Sequence, residues 1–311
     1  MLDDRRMRTA VVTGASGFVG SHLVRALLEQ GIIVYGVGRS AEKLATHRFD
    51  SGFIPIVADF GTYDSLKDLI QEDSIDVFYH MAWQGGFTSA LKDYRLQLMN
   101  AEAACGALSA AAELGCKKFV YAGTVNELEV NSFLTGERCI PRNTCIYGAA
   151  KAAGDVIART LAYNNRLEYC SALLPMMYGR GNASPQIINI VIKNCYTGVP
   201  SKLIEGINRY DVVHINDVVC ALCHIGQSGA NMREYYIGHR ALRTFREIMV
   251  EIRDILNPAA ELRFGEYEDS LNLDYSLIDL DTLYRDTGFE CCADFAETIK
   301  DQAEWLKEIH F

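Results

Sequence analysis

The chain of 311 residues is long enough for one large domain or two closely joined ones, with a sizeable core in either case. Apolar residues at 49% and charged residues at 23% are ordinary globular values, and no apolar run approaches the roughly 20 residues of a membrane helix. A formal net charge of −10 disfavours attraction to nucleic-acid phosphates. We therefore expect a soluble protein that binds neither membranes nor nucleic acids.

The start of the chain and its cysteines indicate a cytoplasmic protein with reduced thiols. Residues 1–8 carry charges of both signs and lack the apolar core of a secretion signal. The ten cysteines are scattered among apolar neighbours in a large acidic chain, so we interpret them as reduced core thiols. Cys220, Cys223 and His224 have the spacing of covalent haem attachment, but their position on the apolar face of a predicted helix favours a structural role.

Short apolar runs alternate with helical patterns in the first half of the chain. The runs predict strands at Thr9 to Thr13, Ile32 to Val37, Ile54 to Val57, Val77 to Ala82 and Lys118 to Thr124. The helical patterns lie at Phe18 to Gln30, Thr62 to Gln71 and Lys92 to Leu114. Strands that alternate with helices imply right-handed crossovers. The predicted fold class is therefore α/β, with a doubly wound parallel (Rossmann) sheet.

The second half of the chain alternates less regularly. Its patterns predict a strand at Glu168 to Leu174, a helix near Gln186 to Cys195 and a strand at Val212 to Ile215. A capping-box spacing, Thr244-Phe-Arg-Glu247, predicts a helix from Phe245 to Leu256. Apolar residues recur at helical intervals near the C-terminus and predict a packed helix there; they are Phe295, Ile299, Leu306 and Ile309.

A glycine-rich segment, Gly14 to Gly20, lies where the first strand must turn into the first helix. Free N–H groups at the start of a helix and the positive end of its dipole attract a pyrophosphate, and side chains in the turn would block its approach. A turn of this kind between a strand and an amphipathic helix predicts dinucleotide binding. The predicted contacts in this segment are Gly14, Ser16, Gly17, Phe18, Val19 and Gly20.

The G-x-x-G-x-x-G spacing resembles that of the extended short-chain dehydrogenase/reductase family, which contains NAD(P)-dependent nucleotide-sugar epimerases, dehydratases and reductases. Further segments that resemble the family are Val57-Ala-Asp59-Phe60, Tyr79-His-Met81-Ala82-Trp83, Leu174-Pro175-Met-Met-Tyr178-Gly179 and Asp211-Val-Val-His-Ile-Asn-Asp217. Asn100 falls where the family has a supporting asparagine in its fourth helix. The resemblance implies cofactor contacts from Asp59, Phe60, Met81, Ala82, Trp83, Asn100 and Pro175.

The second strand ends in Gly38-Arg39-Ser40, which bears on the choice of cofactor. An acidic residue there would bind the adenosine ribose of NAD and repel a 2′-phosphate, whereas arginine and serine complement that phosphate. Arg39 and Ser40 therefore favour NADP, with NAD as the alternative. The structural alternative is that Arg39 is a solvated loop residue.

A tyrosine and a lysine four residues apart, Tyr147 and Lys151, share one face of a predicted helix. A nearby lysine favours the phenolate form of tyrosine, which then exchanges a proton with an alcohol or ketone. Tyr63 and Lys67 have the same spacing, but they follow the third strand, whereas Tyr147 follows Thr124 at the carboxyl end of the fifth. The resemblance assigns Thr124 to the reacting oxygen, so the candidate catalytic residues are Thr124, Tyr147 and Lys151.

The residues after Thr124 bear on the reaction. Dehydratases of the family place an acid one or two positions after the catalytic threonine, but this chain has Val125 and Asn126, with Glu127 one place further on. The resemblance then leaves reduction of a 4-keto sugar and 4-epimerisation. The NADP preference tilts toward an NADPH-dependent 4-keto(-6-deoxy) sugar reductase, with a 4-epimerase holding NAD tightly and then a 4,6-dehydratase as alternatives.

The substrate side departs from the family pattern. Met176 stands where the family usually has asparagine, and Tyr210 directly precedes Asp211, with Arg209 one place early. We expect residues 1–171 and 211–240 to form the dinucleotide-binding domain, and 172–210 and 241–311 a smaller discontinuous α/β substrate lobe. The candidate nucleotide-sugar contacts are Trp83, Gln84, Asn126, Met176, Asn182, Gln186 and Arg209.

Small residues in the predicted fourth helix suggest a partner. The resemblance implies a homodimer whose seam consists of this helix and the one that carries Tyr147, two from each subunit. A catalytically silent cofactor-sensing regulator is the alternative from another functional class, although Thr124, Tyr147 and Lys151 are all present. Motifs for metal-dependent or nucleophilic hydrolysis are absent from the sequence, and no metal site is expected. The alanines that give the helix little bulk are Ala101, Ala103, Ala104, Ala107, Ala110, Ala111 and Ala112.

Overall fold

The structure is a computed structural model that describes residues 7–46, 51–72, 74–86, 88–135, 145–268 and 273–311. The strands are β1 (Thr9–Thr13), β2 (Ile33–Gly38), β3 (Phe53–Val57), β4 (Val77–His80), β5 (Lys118–Thr124), β6 (Glu168–Leu174), β7 (Met176–Tyr178), β8 (Ser201–Ile204), β9 (Arg209–Tyr210), β10 (Val212–His214), β11 (Arg233–Tyr236), β12 (Arg243–Thr244) and β13 (Leu262–Tyr267). The α-helices are α1 (Phe18–Glu29), α2 (Ala41–Thr46), α3 (Leu66–Leu69), α4 (Tyr94–Glu113), α5 (Asn126–Thr135), α6 (Cys145–Asn164), α7 (Ile187–Thr197), α8 (Ile215–Ser228), α9 (Phe245–Leu256), α10 (Thr282–Thr287) and α11 (Phe295–Glu308). Short 3-10 turns lie at Phe60–Ser65, Thr88–Lys92 and Tyr275–Leu277.

Within the described ranges, seven parallel strands form one sheet in the order β11-β6-β5-β4-β1-β2-β3. The chain leaves the centre in one direction through β2 and β3 and returns beside β1 to continue through β4, β5 and β6. The order reverses between β1 and β4, and in open α/β sheets ligands bind beyond the carboxyl ends of the strands at such a reversal. The predicted doubly wound parallel fold is confirmed.

Both faces of the sheet are covered, which explains the nearly continuous apolar runs of its strands. All seven residues of β5 are buried. Successive side chains alternate between the faces, so Tyr79 packs with α1 and α8 while Phe78 packs with α4 and α6. These helices cover the sheet on both sides of the carboxyl edge where the candidate site lies.

Alanines in α4 bring it close to α6 within one chain. Most of them are buried in the core between these helices and the sheet, and a Cβ placed on Gly154 of α6 would lie 3.5 Å from the Cα of Ala101. The low bulk of α4 therefore serves contacts inside the subunit. The outer side of α4 instead exposes larger apolar residues, which include Tyr94 and Leu98.

A second apolar cluster lies in the later part of the chain. It gathers side chains from α7, α9 and α11 together with β8 and β13. The capping box predicted for α9 is present, because Thr244 accepts a hydrogen bond from the Glu247 N–H and Glu247 accepts one from the Thr244 N–H. The predicted bounds of α9 are confirmed, and the predicted C-terminal helix is α11.

Several local predictions were wrong, because side chains end or start elements where periodicity alone does not. The helix predicted at 62–71 is a 3-10 turn followed by the short α3, since Asp59 and Thr62 form a capping box and Thr62 has non-helical backbone angles. The strand predicted to reach Ile215 ends at His214, whose side chain caps α8. The short α5 was not predicted, because its mixed polar and apolar residues have weak helical periodicity.

The cysteines and the long helices bear on two broader expectations. The nine cysteines in the described ranges form no disulfide, but Cys220 and Cys292 are exposed, so the interpretation as core thiols is wrong for these two. Cys223 is buried on the inner side of α8. Among the described residues, no helix combines the length and the apolar character needed to cross a membrane.

Candidate functional site

The glycine-rich turn joins β1 to α1 at the centre of the carboxyl edge. Gly14 has φ of +69°, and a Cβ there would lie 2.9 Å from the Cα of Ala82, just beyond β4. A Cβ on Gly20 would lie 2.1 Å from the Gly14 carbonyl oxygen. Gly17 occupies the N-cap of α1, where no side chain satisfies the first N–H groups. This bare helix start fits a pyrophosphate.

The end of β2 forms the outer rim of the same edge. Arg39 is exposed, and the Ser40 hydroxyl accepts a hydrogen bond from the Lys43 N–H at the start of α2. Asp59, after β3, is exposed and accepts a hydrogen bond from the Gly61 N–H. Burial raises the pKa of Tyr63, and the charges of Asp59 and Arg39 act on the same phenol, the first raising its pKa and the second lowering it. This rim carries the residues expected to bind the adenosine end of a cofactor.

Buried hydrogen bonds tie the ends of β1 and β4 together. The Thr13 hydroxyl lies 3.0 Å from Nδ1 of His80, and the Ala82 N–H donates to the same hydroxyl at 3.3 Å. Burial lowers the pKa of His80 to about 3, so its ring stays neutral. These contacts position Met81 and Ala82 beside the glycine turn.

Helix α4 holds the loop that follows β4. The Trp83 indole N–H donates to the Gln97 side chain at 2.8 Å. Asn100 accepts from the Gln84 N–H at 2.7 Å and donates to the Gln84 carbonyl at 2.9 Å. Asn100 and Gln97 both support the loop after β4, and Gln97 carried no recognisable signal in the sequence.

Tyr147, Thr124 and Lys151 meet where β5 ends. Helix α6 places Tyr147 and Lys151 one turn apart, and Thr124 lies near enough to the Tyr147 side chain to lower the pKa of its phenol. The Tyr147 ring packs edge-on against Trp83, with 6.0 Å between ring centres. Asn126 is hydrogen-bonded to the Thr124 hydroxyl. A hydroxyl pair and a cation thus lie at the carboxyl edge of the sheet.

Tyr147 is less acidic than its spacing to Lys151 suggested. Burial raises the pKa of Tyr147 to about 12, against a lowering hydrogen bond from Thr124 and a further raising effect of Glu127. The Lys151 Nζ instead donates to the Ala122 carbonyl at 2.6 Å and lies 3.9 Å from the centre of the Trp83 ring. In the protein alone, Tyr147 is therefore a protonated phenol.

The other tyrosine–lysine pair lies elsewhere. Tyr63 is buried beneath the end of β3, in the 3-10 turn, and Lys67 is exposed. Burial raises the pKa of Tyr63 well above its ordinary value. Identical spacing thus leads to a core tyrosine at one position and a site tyrosine at the other.

Comparison with known proteins agrees with this arrangement. The model of the NAD dependent epimerase/dehydratase family matches residues 10–238. The chain belongs to that family. A UDP-glucose 4-epimerase of Mycolicibacterium smegmatis is 28% identical over 274 residues, covering 83% of this chain and 85% of that enzyme. The dTDP-6-deoxy-L-talose 4-dehydrogenase (NAD(+)) of Aggregatibacter actinomycetemcomitans is 31% identical over 151 residues, covering 45% of this chain and 50% of that enzyme.

A solved structure shares the whole fold. The UDP-glucose 4-epimerase of Thermotoga maritima with UDP-glucose superposes with a TM-score of 0.79 at 18% identity, covering 97% of this chain and 100% of that one. The seven-stranded sheet and its flanking helices are thus shared with that structure. The chain is an enzyme of the NAD dependent epimerase/dehydratase family by its family match.

The residues predicted to bind the substrate differ from one another in how far other protein groups already occupy their polar atoms. The buried carboxamide of Asn182 is hydrogen-bonded to Met177, Ser184 and Gln186, which leaves it little capacity for a ligand. Gln186 is the N-cap of α7. Arg209 donates to the carbonyl of Leu242 from an exposed position.

Met176, Pro175 and Phe60 were also predicted to contact the substrate or the cofactor. Met176, in β7, packs in the second apolar cluster and lies 3.7 Å from the Tyr210 hydroxyl. Pro175 is buried between β6 and β7. Phe60, which was predicted to contact the cofactor, packs against Tyr63 with 5.9 Å between ring centres.

The sequence did not predict a cluster of polar and charged side chains around Asp211. The buried Asp211 carboxylate accepts hydrogen bonds from the Tyr236 hydroxyl at 2.6 Å and from the His239 N–H and Nδ1, each at 2.8 Å. The bond to Asp211 raises the pKa of His239. Asp211 lay in a segment that resembled the family, but His239 is brought to it only by the fold.

Proposed function

We propose that the protein is an NADPH-dependent reductase that acts at C4 of a nucleotide-linked 4-keto hexose. The observation that carries the proposal is the junction of Thr124, Tyr147 and Lys151 at the carboxyl edge, beside a glycine turn suited to a pyrophosphate. A bound nicotinamide supplies the hydride in such a reaction. The residues of the chain bind the sugar, exclude water and deliver the proton.

Tyr147 is the proposed proton donor to the O4 atom of the sugar. Its raised pKa keeps the proton on the phenol until an oxyanion develops, as a general acid requires. Thr124 orients the same oxygen through its hydroxyl. The Lys151 ammonium, which is buried beside Trp83, favours the phenolate that remains after proton transfer.

The residues that follow Thr124 disfavour dehydration. Val125 is apolar, and Asn126 is an amide that bonds the Thr124 hydroxyl. The nearest acid, Glu127, is buried and accepts a hydrogen bond from the Thr124 N–H. A carboxylate occupied in this way is poorly placed to remove a proton from a sugar, so a 4,6-dehydratase is the weakest enzymatic alternative.

The choice between reduction and epimerisation rests on the cofactor. Arg39 is exposed at the end of β2, and no acidic residue lies at that strand end to repel a 2′-phosphate. We therefore propose NADPH. The alternative is a 4-epimerase with tightly held NAD, as the names of the two curated relatives allow, since one is a 4-epimerase and the other an NAD(+)-dependent 4-dehydrogenase.

We propose that the nucleotide sugar lies between the carboxyl edge and the second apolar cluster. Tyr178, at the end of β7, packs against His214 and Phe295, which links this cluster to the start of α8. Residues 172–210 and 241–311 would then supply most of the pocket that holds the nucleotide. The proposed contacts are Trp83, Gln84, Asn126, Met176, Gln186 and Arg209.

We also propose that two copies associate through the outer sides of α4 and α6. Apolar side chains that would otherwise be hydrated lie on both neighbouring helices. A second copy is the proposed occupant because a twofold axis would bury the same apolar face on each subunit. The exposed apolar residues on this surface are Tyr94, Leu98, Met99, Val156, Ile157 and Tyr163.

Incubation of the purified protein with a panel of nucleotide sugars and their 4-keto-6-deoxy forms tests the function. NADPH absorbance and product mass are followed together. Loss of NADPH with a gain of two hydrogens supports the reductase. An unchanged product mass with altered stereochemistry and no net cofactor turnover would show an epimerase instead of a reductase. Loss of water from the sugar would show a dehydratase. Tight cofactor binding without turnover of any sugar favours the silent regulator.

A further inference from the structure

A buried carboxylate, Glu127, lies beside the proposed site but outside its three residues. It is 6% exposed in the first turn of α5, and its Oε1 accepts a hydrogen bond from the Thr124 N–H at 2.8 Å. Gly123 makes room for it, because a Cβ there would lie 2.9 Å from the same oxygen. In the sequence, Glu127 was the candidate acid of a dehydratase. In the structure, its carboxylate instead binds the backbone of Thr124.

The partner of Glu127 is the unpaired edge of β5. The ladder between β4 and β5 ends with His80 beside Tyr121, whereas β5 continues to Thr124. The Val125 N–H donates to Leu174 of β6, so the Thr124 N–H points to the opposite side, where β4 has ended. The Ala122 carbonyl, two residues earlier, points to that same side.

Two charged side chains replace the missing strand at this edge. The Lys151 Nζ donates to the Ala122 carbonyl at 2.6 Å, and Glu127 accepts from the Thr124 N–H. Their charged groups thus bind adjacent polar groups of one three-residue segment, and both side chains are buried. Backbone groups that would be left unsatisfied in the core are paired in this way.

We propose that Glu127 is a positioning residue that holds Thr124 in place through its backbone and supplies the buried negative charge that keeps Lys151 cationic. The inference rests on the proposed function, because it gives Thr124, Tyr147 and Lys151 their roles. Without a counter-charge, an ammonium in this dry site would release its proton and no longer stabilise the phenolate of Tyr147.

The electrostatics of the site agree with the geometry. Burial lowers the pKa of Lys151, and the charge of Glu127 opposes that effect. Burial raises the pKa of Glu127, an effect that Asp155 increases and Lys151 reduces. Each charge of the pair therefore stabilises the other.

Other titrating groups face the pair from the neighbouring elements. His80, from β4, stays neutral above a pKa of about 3, and Tyr147, from α6, stays protonated below a pKa of about 12. Asp155 on α6 forms an ion pair with Arg159. Glu234 on β11 has a raised pKa because of burial. His80 and Tyr147 therefore keep their charge state between about pH 5 and pH 10, whereas Glu127 and Glu234 ionise at a higher pH than ordinary glutamates, and Lys151→Met separates their effect from that of Lys151.

Trp83 provides a readout that does not depend on activity. The chain has two tryptophans, Trp83 and Trp305, so Trp305→Phe leaves an indole whose face lies 3.9 Å from the Lys151 Nζ. Loss of that cation changes the emission of the indole. In this background, fluorescence followed between about pH 5 and pH 10 reports the ionisation of Lys151. Lys151→Met should abolish the transition.

Glu127→Gln is the decisive variant, because its amide oxygen still accepts from the Thr124 N–H while the charge is lost. We expect the midpoint of the Trp83 transition to move down by about one pH unit or more. The alkaline limb of kcat/KM should move in the same direction. Glu129→Gln, an equally buried glutamate in the same helix, serves as the matched control and should leave the midpoint unchanged.

An unchanged midpoint in Glu127→Gln would overturn the proposal, and so would an equal shift in Glu129→Gln. The fluorescence titration needs no substrate. A protein that reduces none of the sugars but shows the shift therefore disproves the reductase and retains the role of Glu127 toward Lys151. A protein that reduces a sugar but shows no shift supports the reductase and disproves the role of Glu127 toward Lys151.

Discussion

The Lys151 ammonium lies over the face of the Trp83 indole, 3.9 Å from the centre of the ring. This contact joins α6 to the loop after β4, and the Tyr147 ring, also on α6, packs edge-on against Trp83. A cation over indole is stabilised by the ring electrons even where water is excluded. Trp83 therefore helps to keep the cation of the site in place before any ligand arrives.

Replacement of Tyr147 by phenylalanine should lower kcat by about 10²- to 10⁴-fold, because the proposed proton donor is lost. Cofactor affinity, measured by fluorescence titration, should change little. Tyr63→Phe is the matched control, since it removes the phenol of the other tyrosine–lysine pair and should leave kcat within a few-fold. Comparable losses of kcat in both variants would contradict the role of Tyr147.

Gly20→Ala should weaken cofactor binding by at least about tenfold and destabilise the fold by about 1–3 kcal/mol. The added methyl group would lie 2.1 Å from the Gly14 carbonyl oxygen, so the turn must open. Gly106→Ala is the control, because a Cβ there meets nothing within 4 Å and alanine is the better helix former. Cofactor titration and urea unfolding measure both effects, and wild-type affinity in Gly20→Ala would count against the turn as the pyrophosphate site.

Arg39→Ala should reduce affinity for NADPH by about 10- to 100-fold, because a charge-assisted hydrogen bond to the 2′-phosphate is lost. Affinity for NADH should change much less. Dissociation constants of both cofactors for the wild type and the variant give the measurement. If the wild type prefers NADH, or if Arg39→Ala weakens the binding of both cofactors equally, the proposed cofactor is wrong and NAD is the cofactor.

Val156→Glu should dissociate the proposed dimer, because it buries a charge in the apolar surface shared by α4 and α6. Val199→Glu provides the comparison: Val199 is also exposed but lies at the end of α7, away from that surface. Sedimentation equilibrium measures the mass of each variant, and circular dichroism checks its fold. A wild-type mass of one chain would exclude the dimer.

The stabilising effect of His239 should depend on pH. Its pKa is raised in the folded protein by the bond to Asp211, so the contribution is fully present below the ordinary histidine pKa and is lost as the pH rises through the raised value. The difference in unfolding free energy between the wild type and His239→Gln should therefore be larger at about pH 5.5 than at about pH 8.5. Urea unfolding at both pH values is the measurement, and an equal difference at both would contradict the charged interaction.

Sequence patterns predicted a structural feature correctly where all of its interacting groups lie in one short segment. The capping box of Thr244 and Glu247 set the start of α9, and the spacing of Tyr147 and Lys151 placed them on one face of α6. The glycine turn was recognisable because its chemistry depends on backbone freedom within a few residues. These features follow from short-range sterics and hydrogen bonding.

Features that depend on distant segments were missed or misjudged. Spacing did not reveal that the Lys151 Nζ would bind the Ala122 carbonyl rather than the Tyr147 phenol. The alanines of α4 indicated close helix approach, and only the fold showed that most of them pack inside one chain. His239 meets Asp211 only through the loop that follows β11.

The order of strands, helices and glycines along the chain by itself determined a parallel sheet with a nucleotide-type turn, since each of these depends on residues close in sequence. The tertiary structure alone decided that Lys151 binds the Ala122 carbonyl and that Glu127 accepts a hydrogen bond from the Thr124 N–H. The physical reason is that β4 stops short of β5, and the polar groups exposed at that edge must find partners from elements far away in the sequence.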